Sequence, residues 1–379
     1  MGTCTTSNNK NEYMKIKKDI MLKKIIQNLK EPNLVGLDNI GAQCYMNATH
    51  QSLYNTKKLT DYFLEIYHEG NNKIMSNEYY IIVKNLSNRN NHNKSYAPHS
   101  FKQVLIRENP VFEGVYTNES KDLISYLLER FHEELNIINE NNLQNNLLIT
   151  QQDQFDEQKM LYLFQKDFKA EFNSIISNLF WGVMETKSLC HGCNCIKYNF
   201  QVYSFLEFYL EPVNKYCFTK GLRNNFNSSN NNPDIDLYEC FNYYSNIYLM
   251  NGENQMYCNI CKKNCDASYQ TELYSLPNYL IINLIRRKGD IYQCKVNFPE
   301  KLNLLNFVAY KAGNTYLELY AVICQYCPSQ MSGHFIAYCK NNIDKKWYKY
   351  NDSIVEPCKK KDEFRNGMPY ILFYQALLI

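Results

Sequence analysis

The sequence predicts an α+β protein, with helices gathered in its first half and strands in its second. Over residues 34–180 apolar residues recur at helical spacing, as at Leu123, Leu127, Phe131 and Leu135 with charged residues between them, which is the mark of an amphipathic helix. Over 198–210 and 270–375 the chain alternates like half-buried strands and is crowded with Tyr, Phe, Ile and Val. Between these segments fall Asn-rich runs at 87–95, 136–154 and 224–233, part of 51 Asn in all. Such polar tracts bury too little apolar surface to offset their ordering entropy and read as flexible insertions. Residues 1–33 read as a tail ending in a Lys-rich helix that stops near Pro32. No internal repeat is visible.

Composition narrows the function classes. A chain of 379 residues corresponds to two or three units at ~150 residues per domain, ample to bury a core without disulfides. Lys plus Arg total 41 against 38 Asp plus Glu, a net charge of only +3, which gives no reason to expect a nucleic-acid partner. The 13 Gly and 10 Pro exclude collagen. No apolar run reaches the ~20 residues of a spanning helix. The 15 Cys are an odd number, and the start Met1-Gly2-Thr3-Cys4 lacks the apolar core and cleavage site of a secretory leader. The expectation is a reducing, cytoplasmic setting with the nucleus left open, where clustered Cys serve as metal ligands or nucleophiles before disulfides.

The tail carries its own signal. Met1-Gly2-Thr3-Cys4-Thr5-Thr6 fits the N-myristoylation pattern, and Cys4 offers a second acylation point. Lys10, Lys15, Lys17, Lys18, Lys23 and Lys24 follow, interleaved with Met14, Ile16, Ile20, Met21, Ile25 and Ile26. One acyl chain anchors only marginally, and a second chain or basic patch makes the anchor stable. The simpler reading is a chance Gly2, or a cloning scar, beside the solvated face of a helix; peripheral membrane association through Gly2 and Cys4 acylation is the alternative.

Chemistry concentrates in two places. In Gly36-Leu37-Asp38-Asn39-Ile40-Gly41-Ala42-Gln43-Cys44-Tyr45-Met46-Asn47-Ala48 a polar, Gly-punctuated stretch turns helical at Cys44. A thiol at a helix N-terminus sits at the positive end of the dipole, which favours the nucleophilic thiolate. Asn39 can donate to an oxyanion formed there, a contact typically worth about 10²–10³ in rate. Near the other end, Gly333-His334-Phe335-Ile336-Ala337-Tyr338 and Trp347-Tyr348-Lys349-Tyr350-Asn351-Asp352-Ser353 read as neighbouring strands. They set His334 beside Asn351 or Asp352, which can fix its tautomer. Cys, His and Asn distant in sequence but adjacent in space is the logic of papain-like thiol proteases.

These segments resemble the ubiquitin-specific proteases. The family signature Gly-Leu-x-Asn-x-Gly-Asn-Thr-Cys-Tyr-Met-Asn is similar to residues 36–47, with Ala42 and Gln43 replacing Asn-Thr. A Gly-His-Tyr segment followed by Trp-Tyr-x-Phe-Asp/Asn-Asp-Ser is similar to 333–353, and Pro369-Tyr370-Ile371-Leu372-Phe373-Tyr374 closes the chain as the family does. The resemblance implies Cys44 as nucleophile, His334 as base, Asn351 as its orienting residue, Asn39 as oxyanion donor and Asp352 in support. It implies a right-hand architecture: a helical thumb at about 34–180, β fingers at about 185–270 and a β-rich palm at about 271–376. The implied reaction is hydrolysis of the isopeptide bond between the ubiquitin C-terminal glycine and a substrate lysine, with ubiquitin and ubiquitinated proteins as partners. Thr49-His50 and Arg287 also depart from the pattern. Gln43, Thr49 and Arg287 keep open a catalytically weak ubiquitin-binding scaffold; a second rival is a different papain-like enzyme acting on a ubiquitin-like modifier or an acyl substrate. His50 reads as a surface or packing residue rather than a second base.

Two further groups are singled out. Cys190-His191-Gly192-Cys193 and Cys258-Asn259-Ile260-Cys261 are paired C-x-x-C knuckles, a donor set suited to tetrahedral structural zinc. Their separation exceeds that of a compact zinc ribbon and requires an insertion that brings them together. The resemblance places this site at the fingertips. Cys195 and Cys265 lie close enough to be confused with ligands, and His191 is expected in an exposed turn. Glu119 and Asp122 stand three apart on one helical face, where the family carries a Gln-Asp-x-x-Glu-Phe segment. They are candidates to bind the arginines of the ubiquitin tail, with first-turn helix stabilisation as the alternative.

Overall fold

The computed structural model describes residues 32–88, 94–113, 119–137, 150, 152–222, 234–286, 292, 294–310, 313–329, 332–360 and 362–377. The basic tail with Gly2 and Cys4, most of the three Asn-rich runs, and Arg287 lie outside them. Among the described residues no helix is long and apolar enough to cross a membrane.

The thumb begins with a short strand, β1 (Gly36–Leu37), followed by α1 (Cys44–Tyr54), α2 (Lys57–Glu65) and α3 (Ile74–Ser87). Strand β2 (Ser95–Tyr96) pairs in parallel with β1, and α4 (His99–Glu108), α5 (Ser120–Leu135), α6 (Glu157–Glu171) and α7 (Ile175–Phe180) complete the lobe. The i, i+4 stripe read from α5 is the stripe that is buried: Leu123, Leu127, Phe131 and Leu135 all face the core, as the helical period requires. Ser174 and Ser177 form a reciprocal capping box that starts α7.

The fingers open with β3 (Gly182–Cys190) and β4 (Ile196–Tyr203), an antiparallel hairpin. The chain then returns to the palm through β5 (Phe205–Tyr209), α8 (Leu210–Thr219), β6 (Ile235–Asp236) and α9 (Leu237–Tyr244). It re-enters the fingers with β7 (Tyr248–Met250), β8 (Met256–Cys258), β9 (Lys263–Cys265) and β10 (Ala267–Ser275). The palm follows with β11 (Tyr279–Ile285), β12 (Val296–Asn297), β13 (Lys301–Asn303), β14 (Tyr316–Ser329), β15 (Ser332–Lys340), β16 (Trp347–Asn351), β17 (Ile354–Pro357) and β18 (Met368–Ala376). The finger sheet runs β4-β3-β10-β7 and the palm sheet β17-β16-β15-β14-β18-β11-β5, with β13 added on β14.

The palm sheet is covered on both faces, and its alternation sorts residues between two cores. Ile281, Ala321, Ile323, Ala337, Cys339, Ile371 and Phe373 pack with the thumb helices. Leu280, Ile282, Val322, Ile336, Leu372 and Tyr374 pack with α8 and α9 on the opposite face. Successive side chains of a strand point to opposite faces, so a sheet buried on both sides reads as a nearly continuous apolar run, and Tyr279–Ile285 is one, broken by the buried Asn283.

One expectation needs correcting here. The fingers do not run unbroken over 185–270: β5 pairs in parallel with β11, Phe205 opposite Ile281, and α8 and α9 pack under the palm. Within the span expected as β fingers, residues 210–219 and 237–244 are helical. In α8 Leu210, Val213, Asn214 and Cys217 are buried at helical spacing, and α9 is started by a capping box between Asp236 and Glu239. Period and caps outweighed the aromatic composition that suggested strands.

Candidate active site

The cleft is built where the first described strand meets one of the last turns. The N–H of Leu37 donates to Asp352 O at 3.0 Å. A Cβ on Gly36 would stand 2.4 Å from Ser353 O, so only glycine lets the two backbones approach this closely. Asp352 itself sits in the left-handed region, φ +52°, which turns the chain from β16 into β17.

Asn39 then folds the following loop onto itself, its Oδ1 accepting from the N–H groups of Gly41 (3.3 Å) and Gln43 (3.1 Å). Gly41 and Ala42 are both left-handed, φ +117° and +49°. The loop delivers Cys44 as the first residue of α1, as the sequence predicts. Gln43, the N-cap, makes no side-chain cap hydrogen bond, so the positive end of the helix is left beside the sulfur.

Cys44 is half-buried, its Sγ 3.8 Å from Gly333 O, one residue before His334, whose ring the thiol perturbs. His334 lies on β15 and Asn351 at the end of β16. The ladder pairs Ala337 with Tyr350, so His334 and Asn351 are diagonal neighbours, close enough for side chains to meet. The His334 Nε2 stands 2.6 Å from Asn351 Oδ1. An amide oxygen only accepts, so Nε2 donates and Nδ1 is left for the sulfur. The Cys44 thiol raises the His334 pKa, burial opposes it, and Asn351 and the nearby charge of Asp352 add to it, for a value of about 9. At neutral pH the ring therefore holds its proton beside the thiol, the arrangement that activates sulfur nucleophiles.

Asp352 ties both sides of the cleft together. Its Oδ2 accepts from Asn39 Nδ2 at 3.0 Å and its Oδ1 from Asn47 Nδ2 at 2.7 Å. An amide NH₂ carries two hydrogens, so Asn39 retains one for a second acceptor. Asn47, assigned no role from sequence, also lies near the carbonyls of Leu37 and Asp38 and so pins α1 to the incoming strand.

Glu119 and Asp122 open α5, which Ser120 fastens to α1 by donating its hydroxyl to Tyr45 O at 3.1 Å. Glu119 makes no side-chain cap bond but accepts from the Tyr370 hydroxyl. Burial raises the Tyr370 pKa, and Glu119, Asp122 and Glu207 raise it further, so three carboxylates converge on this wall. Glu207, on β5, was not anticipated; it pairs with Lys121 at 2.6 Å. His50 is a packing residue, fully buried and edge-on to Phe101 at 4.3 Å. Phe335 and Tyr338 are both buried strand residues.

A family model described as Ubiquitin carboxyl-terminal hydrolase matches residues 35–374. The chain belongs to that family. It is 24% identical to human ubiquitin carboxyl-terminal hydrolase 21 over 368 residues, covering 90% of this chain and 61% of that protein. It is 26% identical to human ubiquitin carboxyl-terminal hydrolase 2 over 360 residues, covering 90% and 55%. The chain thus spans little more than half the length of these curated relatives. Among solved structures, a SAGA DUB module bound to monoubiquitin shares the fold at a TM-score of 0.69 and 19% identity, covering 96% of this chain and 75% of that one. A second, bound to ubiquitin aldehyde, gives 0.64 and 18%, covering 92% and 71%.

The ubiquitin carboxyl-terminal hydrolase fold also brings the two knuckles together. Cys190, Cys193, Cys258 and Cys261 offer sulfurs that all lie within 4.8 Å of one another. Each knuckle is closed by the same turn: Asn194 N–H donates to Cys190 O and Lys262 N–H to Cys258 O, with Asn194 and Lys262 both left-handed. A tetrahedron with Zn–S near ~2.3 Å has sulfur edges of about 3.8 Å, and the Cys193 and Cys258 sulfurs stand 3.7 Å apart. Against burial, backbone N–H groups of Cys193 and Gly192 push the Cys190 thiol down; against the Cys195 backbone, neighbouring sulfurs push the Cys193 thiol up, as they do that of Cys261. The donor set therefore fits a structural metal ion. His191 is in an exposed turn, with its Nε2 3.1 Å from Ser268 Oγ.

Proposed function

We propose that this chain is a thiol-dependent deubiquitinase that hydrolyses the isopeptide bond between the ubiquitin C-terminal glycine and a substrate lysine. The observation that carries it is the placing of Cys44, at a helix start with its Sγ 3.8 Å from Gly333 O, beside the hydrogen-bonded His334–Asn351 pair of two neighbouring strands. Cys44 attacks the carbonyl carbon as a thiolate. The oxyanion that develops meets the remaining Asn39 hydrogen and the first-turn N–H groups of α1. His334 gives its proton to the departing lysine amine, leaving a thioester on Cys44. A water molecule, its proton taken by His334, then releases the ubiquitin carboxylate. Asn351 keeps the ring in the productive tautomer, and Asp352 keeps Asn39 in place.

The acidic wall of Glu119 and Asp122 suits an extended, Arg-bearing peptide tail, which supports ubiquitin as the partner. Cys190, Cys193, Cys258 and Cys261 would hold zinc, whose contribution is to fix the fingertip rather than to enter the reaction. A cytoplasmic setting with acylation at Gly2 and Cys4 is supported by sequence alone.

The test is hydrolysis of a fluorogenic ubiquitin amide by the full chain. Cys44→Ala should lower turnover by about 10⁴-fold or more while ubiquitin binding persists, and a ubiquitin-based thiol probe should label only the parent protein. Retained turnover refutes the assignment. Labelling by a ubiquitin-like modifier's probe in place of ubiquitin's moves the substrate.

A further inference from the structure

The four knuckle sulfurs have a fifth neighbour. Cys265 ends β9, four residues beyond the second knuckle, and is buried in one nest with Cys190 and Cys258. Its Sγ stands 3.6 Å from Lys263 O. Gly192 shows how tightly they crowd: a Cβ there would lie 3.1 Å from Cys265 Sγ, 3.3 Å from Cys261 Sγ and 3.6 Å from Cys190 Sγ. Cys193 differs, since the sulfurs it meets are those of Cys190, Cys258 and Cys261. Cys195, as near in sequence, contributes its backbone, with its carbonyl accepting from Cys190 N–H at 3.0 Å.

Cys261 is the ligand this arrangement backs up. It is partly exposed, whereas Cys265 is buried behind it, and the two are joined by a short segment containing the left-handed Lys262. Rotation about one Cα–Cβ bond carries a thiol sulfur between staggered positions without moving the backbone. Zinc has no geometric preference from its d electrons and accepts any four thiolates that close a tetrahedron.

We propose that Cys265 is a reserve ligand of the fingertip centre, a fifth thiol that takes the coordination position of Cys261 when that sulfur is lost. The inference rests on reading the four-cysteine cluster as a zinc site. It makes the fingertip a five-thiol centre for a soft divalent metal, able to keep its ion when its exposed ligand is substituted or alkylated.

Zinc affinity of the full chain, measured by competition with a chromophoric chelator, tests this, with the cobalt(II) form read for thiolate-to-metal absorption. Outright loss of one of four thiolates costs about 10²–10³-fold in affinity. Cys193→Ser should show that loss. Cys261→Ser should lose less than about tenfold and keep a four-thiolate cobalt spectrum. Cys265→Ser alone should bind as the parent does. Cys261→Ser combined with Cys265→Ser should fall to the level of Cys193→Ser. If Cys261→Ser is as weak as Cys193→Ser, and removing Cys265 as well changes nothing, the reserve role is wrong. Absence of zinc binding by the parent chain would instead overturn the metal reading beneath it. Labelling of Cys44 by a ubiquitin-based probe reports that each variant's palm is folded.

Discussion

Cys44 meets Gly333 across 289 positions and Asn39 meets Asp352 across 313, whereas each fingertip knuckle closes within a single turn of chain. The two knuckles then need only the β3–β10 ladder, with Cys190 opposite Ala267, to come face to face. The cleft is thus a product of the whole fold, held by neutral and charged hydrogen bonds between distant segments. The fingertip is a product of local turns that gather four sulfurs able to hold a metal ion. Damage to one should leave the other standing.

Metal removal is the strongest way to separate them. Structural zinc contributes about 10–16 kcal/mol of apparent binding energy in small domains, so a chelator should melt the fingertip in an early thermal transition. Cys44 should remain reactive toward a small thiol reagent at the parent's rate. Loss of that reactivity together with the metal would show the regions to be one cooperative unit.

Gly36→Ala probes the opposite side. Its Cβ collides with the backbone of Ser353 and must push the turn that carries Asn351 and Asp352. Misplacement by ~1 Å costs about 10²-fold in rate, so kcat/KM should fall by that order while zinc content is unchanged. Unaltered turnover would mean that the turn positions nothing.

The smallest effect is confined to acid. His50 lies on the helix of Cys44 and finds no hydrogen-bond partner for either ring nitrogen among the described residues. Burial lowers its pKa from 6.5 to about 3. A depressed folded pKa means that the unfolded chain takes up the proton first, so stability drains as pH falls from ~6.5 toward ~3. By pH 4 the loss amounts to about 3 kcal/mol. His50→Phe should match the parent at neutral pH and exceed it increasingly below pH 6 in urea unfolding; parallel curves would place the acid sensitivity elsewhere.

What could be read from sequence follows the same division. The knuckles were legible because their chemistry is local, and Cys44, His334 and Asn351 because each sits in a short run of distinctive neighbours. The α5 stripe was legible because its period is unambiguous. Asn47 fell inside the matched signature but was given no role, and Glu207 was not singled out: their partners, Asp352 and Lys121, lie 305 and 86 positions away. Helices α8 and α9 were hidden by aromatic residues that suit strands equally well. The capping residues Asp236 and Glu239 were the signal that told them apart.

The meeting of Gly36 with Ser353 also sets an order in time. A ribosome making ~5–20 residues per second needs about 15–60 s to travel from Cys44 to Gly333. For all of that interval the thiol is outside the tunnel or entering it without its imidazole. Only when β16 and its turn emerge and seat against Gly36 do Asp352 and its two amide partners lock, so a product truncated before that turn carries the Cys44 thiol without Asp352 or its amide partners' anchor.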